Sequence, residues 1–308
     1  MHNQYSLNVG EPIIAVLNSI RLFKQEGDLT MSEKKRNVEK LIRGRRTIDG
    51  AGVSLIRIFG YGDTKDMDPF LMLDTFDSTN SEDYIKGFPW HPHRGIETVT
   101  YLLDGIIEHG DSLGNKGVIR PGECQWMTAG SGIIHQEMPI ASDRLRGLQL
   151  WVNLPQSDKM TAPKYNGIEA DQVPTVNEDD VVVKVIAGRY KEIDGAFQPE
   201  FVKINYLDVK IASGSKWVYG SDSGLNQFIY ILEGRGTVGN DSIEEHSCLL
   251  LGIGEELEVV ASEAGIRFVL LEGYRLGEPI AWGGPIVMNT KEELNLAFKE
   301  LDDNTFIK

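Results

Sequence analysis

From Val53 onward the chain is a succession of short β-branched and aromatic runs, each closed by glycine or proline. Val53–Ile58, Glu97–Leu103, Leu148–Val152, Val181–Ala187 and Phe228–Leu232 are examples, each long enough for a strand and too short for a helix. The pattern predicts an all-β sandwich or barrel. Helical periodicity is confined to the end of the chain. There Thr290 can cap Lys291 to Leu301, with Leu294, Ala297, Phe298 and Leu301 forming an apolar stripe suited to packing.

Two of the runs resemble each other. Thr98-Val-Thr-Tyr-Leu-Leu-Asp-Gly105 and Gln227-Phe-Ile-Tyr-Ile-Leu-Glu-Gly234 share a strand followed by an acid-glycine turn, and Pro121-Gly122 and Gly252-Ile-Gly254 follow them. This predicts an internal duplication of one β-barrel unit. Pro155 to Asp180, polar and interrupted by Pro163, Gly167 and Pro174, reads as the linker between the copies. The expected division is an N-terminal extension over 1–33, a first barrel over 34–165, and a second, degenerate barrel with a terminal helix over 166–308.

Composition adds bounds. A chain of 308 residues, 41% hydrophobic and 25% charged, fits two soluble domains. No apolar run approaches the roughly 18 residues a membrane span needs. With 31 Lys and Arg against 46 Asp and Glu, the net charge of −15 repels phosphate backbones and argues against direct nucleic-acid binding. The densest basic stretch, Lys34 to Arg46, is expected to be a solvated face before the first strand. Cys124 and Cys248 lie in different halves, so no disulfide framework is expected, and Cys124 reads as a buried structural thiol. Residues 1 to 30 lack the layout of a secretory signal, which makes the cytoplasm the expected compartment. Met31, followed by Ser32-Glu33-Lys34-Lys35, resembles a bacterial start, and Gln25-Glu26-Gly27 can be encoded by codons that form a ribosome-binding sequence. Translation is therefore expected to begin at Met31.

Candidate chemistry is concentrated in the first copy. His91 and His93 are one residue apart, and His135 and Glu137 repeat the spacing. In a strand, side chains at i and i+2 share a face, so two facing strands could bring four donors together. Three imidazoles and a carboxylate suit Fe, Mn, Co, Ni, Cu or Zn rather than Ca or Mg. In the second copy the positions matching His91, His93 and Glu97 hold Gly220, Asp222 and Asn226, and His246 reads as a surface or structural residue. Any chemistry therefore belongs to the first half. Glu97 would share the ligands' face only if Gly95 left the strand unbroken, and it is expected behind the ligands instead. Trp126, Met127 and Phe88 are expected in the core or cavity wall, and His109 at a strand end.

Asp68-Pro-Phe-Leu-Met-Leu-Asp74, the run Gly87 to Leu103, Pro121-Gly122, Gln125-Trp-Met-Thr-Ala-Gly-Ser-Gly-Ile-Ile-His135, Gln149-Leu-Trp-Val-Asn-Leu154 and Gly284-Pro-Ile-Val-Met-Asn-Thr290 together resemble the pirin family of the cupin superfamily. The resemblance runs from about residue 34 to the end. It implies a bicupin, two face-to-face double-stranded β-helix barrels, with one mononuclear metal, usually Fe(II), in the N-terminal barrel. It carries the metal ligands onto His91, His93, His135 and Glu137. Some members of the family cleave the flavonol quercetin with dioxygen, and the eukaryotic pirin resembles a transcriptional co-regulator. The expected activity is therefore a quercetin 2,3-dioxygenase that releases carbon monoxide, with Glu137 both ligand and general base for the flavonol 3-hydroxyl. The rival expectation is a redox-sensing regulator that binds a protein partner through a metal-controlled surface. Two barrels in one chain mimic the dimer that single cupins form, which favours a monomer.

Overall fold

The computed structural model describes residues 35–308, and the expected start at Met31 lies outside them. The alternating runs form antiparallel strands. Those of the first half are β1 (Val38–Arg43), β2 (Arg45–Asp49), β3 (Val53–Phe59), β4 (Phe70–Ser78), β5 (Phe88–His93) and β6 (Ile96–Asp104). They continue with β7 (Ile106–Asp111), β8 (Lys116–Ile119), β9 (Cys124–Thr128), β10 (Ile133–Ile140), β11 (Leu145–Asn153) and β12 (Lys164–Ile168). A seven-stranded sheet runs β12-β9-β6-β11-β4-β3-β2, and β5-β10-β7-β8 form a second sheet of four strands. Residues of both sheets line one cavity between them.

The second half forms the other barrel, from a nine-stranded sheet that also takes in β1. β1 pairs with Ser247–Leu251, so the chain enters through the second barrel before building the first. The basic stretch therefore holds the first strands rather than preceding them; Lys40, Arg43, Arg45 and Arg46 are exposed as expected, and Arg36 is its buried cation. Lys35 pairs with Glu258 at 3.1 Å and Lys40 with Asp66 at 2.9 Å, while the buried Arg36 guanidinium donates to the carbonyls of Asp222, Leu225 and Gly252. The stretch read as a linker also holds strands, with β12 on the edge of the first barrel and Thr175–Glu178 on the edge of the second.

The barrels meet across one apolar core. Val99, Tyr101, Trp126 and Leu150 come from the first, and Tyr206, Phe228, Tyr230 and Leu271 from the second. Period-two alternation explains the division of labour, since along β6 Val99 and Tyr101 face this core while Thr98 and Thr100 face the other way. The interior of the second barrel is filled by apolar side chains such as Val183, Leu207, Trp217, Ile229 and Phe268. The terminal helix spans Lys291–Asp302. Thr290 and Glu293 close a reciprocal capping box, and Ala297 is its buried residue.

Candidate metal centre

His91 and His93 stand on β5 and His135 on β10, and the register sets His135 directly opposite His91. Ring centroids are 4.3 Å apart for His91 and His135, 4.8 Å for His91 and His93, and 5.0 Å for His93 and His135. One nitrogen of each ring lies within 4.8 Å of the others, the only such group of three or more metal-ligating side chains among the described residues.

The hydrogen bonds around the rings prepare them for a cation. Nδ1 of His91 lies 2.9 Å from the Pro89 carbonyl, and Nδ1 of His93 lies 3.1 Å from the Pro285 carbonyl. A carbonyl only accepts, so each Nδ1 carries the proton and each Nε2 is left with a free lone pair. Both ring nitrogens of His135 are buried without a hydrogen-bond partner, which a bound cation would relieve. Burial, reinforced by neighbouring imidazoles, draws the His93 pKa down to about 3 and that of His135 well below its usual value. At neutral pH both are therefore the neutral rings that ligate metal. The residues present fit a divalent transition metal.

Glu137 shares the face of His135 and lines the same cavity, although it stands outside the group of three imidazoles. Its Oε1 accepts from Thr100 Oγ1 at 2.8 Å and from Gln125 Nε2 at 3.4 Å. Thr100 Oγ1 is also 2.6 Å from the Gln149 side-chain amide. The atom facing Thr100 is Gln149 Oε1, but a hydroxyl has one proton, so with Thr100 donating to Glu137 the Gln149 amide is assigned flipped, its NH2 toward Thr100. The sequence reading missed Thr100, Gln125 and Gln149. Each stands between two apolar or sulfur-bearing neighbours, as in Leu148-Gln149-Leu150, a break in a doubly buried strand that marks an inner polar face.

Other expected residues fall elsewhere. Gly95 adopts φ +77°, and a Cβ there would clash with the Val287 carbonyl oxygen. The chain turns at this point, leaving His93 in the four-stranded sheet and starting β6 in the other. Glu97 is thereby carried away from the ligands, onto the face of β6 opposite Thr100, where Thr128 Oγ1 donates to it at 2.7 Å. Burial raises its pKa to about 7. Trp126 packs in the core between the barrels against Phe197, Met127 lies in a separate core cluster, and Phe88 lines the cavity. His109 is not a strand end. It is buried within β7, with Nε2 3.1 Å from Asp111, its ring stacked on Tyr165, and its backbone opposite Glu137. His246, at φ +65°, lies within hydrogen-bonding distance of Tyr230. Both cysteines are free and buried, and burial pushes their thiols up.

The cavity has a volume of about 710 Å³, and Trp151, Trp282, Tyr61 and Phe88 give it aromatic walls. Trp151 packs on His93 with centroids 5.0 Å apart and on Trp282 at 5.8 Å. Such a slot suits a flat aromatic molecule whose edge meets the imidazoles.

Comparison with known proteins agrees with this architecture. Residues 52–152 match the Pirin family, and 206–307 match the Pirin C-terminal cupin domain. A pirin-like protein of Caulobacter vibrioides is 43% identical over 274 residues, covering 88% of this chain and 99% of the relative. The chain belongs to the pirin family. Human pirin is 38% identical over 85% of this chain and 91% of its own. Among solved structures, a quercetin 2,3-dioxygenase of Acinetobacter baumannii superposes with a TM-score of 0.81 at 33% identity, covering 88% of this chain and 98% of that one. This pirin is accordingly a bicupin, with two β-barrels in one chain. Among its described residues no helix is long and apolar enough to cross a membrane.

Proposed function

We propose that this pirin is a metal-dependent dioxygenase that cleaves quercetin-type flavonols with O2 and releases carbon monoxide. The observation that carries the proposal is the cluster of His91, His93 and His135 beside an aromatic-sided cavity that His91 and His93 line. The Acinetobacter relative bears the name of this activity. His91, His93 and His135, with Glu137 as fourth ligand, would hold one divalent metal, most simply Fe(II). Bound there, the metal would supply a Lewis acid and an electron-transfer centre next to the substrate.

The chain's own residues do the rest. Trp151 and Trp282 flank the flavonol rings and exclude water, which strengthens polar contacts inside the slot. The Glu137 carboxylate takes the proton of the 3-hydroxyl on Oε2, while Thr100 and Gln125 hold Oε1 still. Thr100 is fixed in turn by Gln149. The partners of the reaction are the flavonol and O2, handled by a cytoplasmic monomer whose first barrel does the chemistry.

The test is oxygen uptake by the iron-loaded protein with quercetin, with carbon monoxide trapped and His93→Ala as control. Stoichiometric carbon monoxide that disappears in the variant is the expected result. An iron-loaded protein that consumes no oxygen would overturn the proposal.

A further inference from the structure

The seven-stranded sheet carries a row of polar side chains across its inner face. Register sets Arg57 opposite Asp74, Asp74 opposite Gln149, Gln149 opposite Thr100 and Thr100 opposite Gln125. The row begins at the residues holding Glu137 and ends in an ion cluster two to four strands away, roughly 10–19 Å along the sheet at the usual strand spacing. Arg57, Asp74 and Asp49 all line the same cavity as the imidazoles.

The cluster is built and incompletely used. Arg57 donates through Nε and Nη2 to both oxygens of Asp74, at 2.9 and 2.7 Å, and through Nη2 to Asp49 at 2.8 Å. Among the described residues its Nη1 makes no hydrogen bond, so one guanidinium edge keeps two free N–H donors. Asp74 is buried, and its fork-on-fork pairing fixes the orientation of that edge. Two carboxylates against one guanidinium leave the cluster with one net negative charge.

Resting on the dioxygenase reading, the geometry points to this cluster as the second anchor of the cavity, one that takes the hydroxylated end of a polyhydroxylated aromatic substrate. A hydroxyl matches the cluster on both counts, accepting from Nη1 and donating to a carboxylate oxygen of Asp49 or Asp74. An aromatic carboxylate would meet net negative charge. A ring end without hydroxyls would strip water from these groups and return nothing, the arrangement by which a polar site rejects an apolar analogue. The row thus selects length and polarity together, with one end of the ligand at the imidazoles and a hydroxyl at Arg57.

Equilibrium binding to the anaerobic, iron-loaded protein separates this inference from the reading beneath it, with quenching of tryptophan fluorescence as readout. The probes are quercetin and 3-hydroxyflavone, which keeps the 3-hydroxyl edge and lacks hydroxyls on both terminal rings. Wild type should bind quercetin about ten-fold or more tightly than 3-hydroxyflavone. The difference should shrink to less than about three-fold in Arg57→Met/Asp74→Met, which removes both charges so that neither is left alone in the wall. Asp49→Ala, at a more exposed position, should narrow it while leaving the buried pair intact. Equal affinities in wild type, or discrimination that survives in Asp49→Ala and in the folded double variant, would overturn the anchor and leave the dioxygenase reading standing. Binding of neither flavonol would overturn that reading and the anchor with it.

Discussion

His93 Nδ1 donates to the Pro285 carbonyl at 3.1 Å, so a turn 192 residues further along the chain sets the tautomer of a metal-site imidazole. That turn is itself pinned to the first barrel. Val287 N donates to the Arg94 carbonyl at 3.1 Å, and the Lys159 ammonium bridges the carbonyls of Gly95 and Val287 at 2.7 and 3.0 Å. The Arg94 guanidinium holds the Ser131 carbonyl, Glu300 and the Phe306 carbonyl, and lies 4.1 Å over the Phe306 ring.

Phe306→Ala should therefore do two things at once. Emptying this buried site should lower the unfolding free energy by about 3–5 kcal/mol. Loosening the segment behind His93 should also weaken metal binding, by about ten-fold. Denaturant melts and metal titrations measure the two effects. Phe298→Ala, at an exposed position of the terminal helix that precedes Phe306, should leave metal affinity unchanged.

Thr100 tests the support of Glu137. Thr100→Val keeps the shape but removes the donor to Oε1 and the acceptor for Gln149, and turnover should fall about 10–100-fold with a smaller change in KM. Thr100→Ser should restore most of it. A Val variant with wild-type kcat would show that Glu137 needs no such support.

The pH dependence of the metal-free protein should carry two opposed slopes. His93 has a folded pKa of about 3, below its ordinary value of 6.5, so between these limits the unfolded chain binds the extra proton. Its contribution is complete above 6.5 and is lost as pH falls toward 3. Glu97 runs the other way. Its folded pKa of about 7 exceeds 4.5, so its contribution is complete below 4.5 and is lost as pH rises through 7. Glu97→Gln should therefore raise the melting temperature at pH 8 relative to wild type and have little effect at pH 4. Thermal melts of both proteins across this range show whether the slope between 4.5 and 7 steepens in the variant, as removal of the opposing group requires.

The three imidazoles were legible because i, i+2 spacing in a strand is a local rule that survives any sheet arrangement. The strand content, the duplicated glycine turns at Gly105 and Gly234, and the capped terminal helix were local as well. Glu97 misled because its placement turns on Gly95, whose positive φ moves the chain from one sheet to the other. The row from Arg57 to Gln125 depends on the pairing of five strands, which no single stretch encodes. Pro285 behind His93 is a long-range contact that only the closed fold creates. His109 looked terminal because it follows the Asp104-Gly105 turn, yet β7 runs from Ile106 through Asp111 and holds it inside.

Metal stoichiometry tests the centre most directly. Equilibrium dialysis of the metal-free protein against Fe(II) under anaerobic conditions should give one ion per chain. His91→Ala, His93→Ala and His135→Ala should each weaken binding by at least about ten-fold, and His109→Ala should leave the stoichiometry at one. A chain that binds no ion, or one that binds it equally well without His135, would contradict a metal centre built on these three imidazoles.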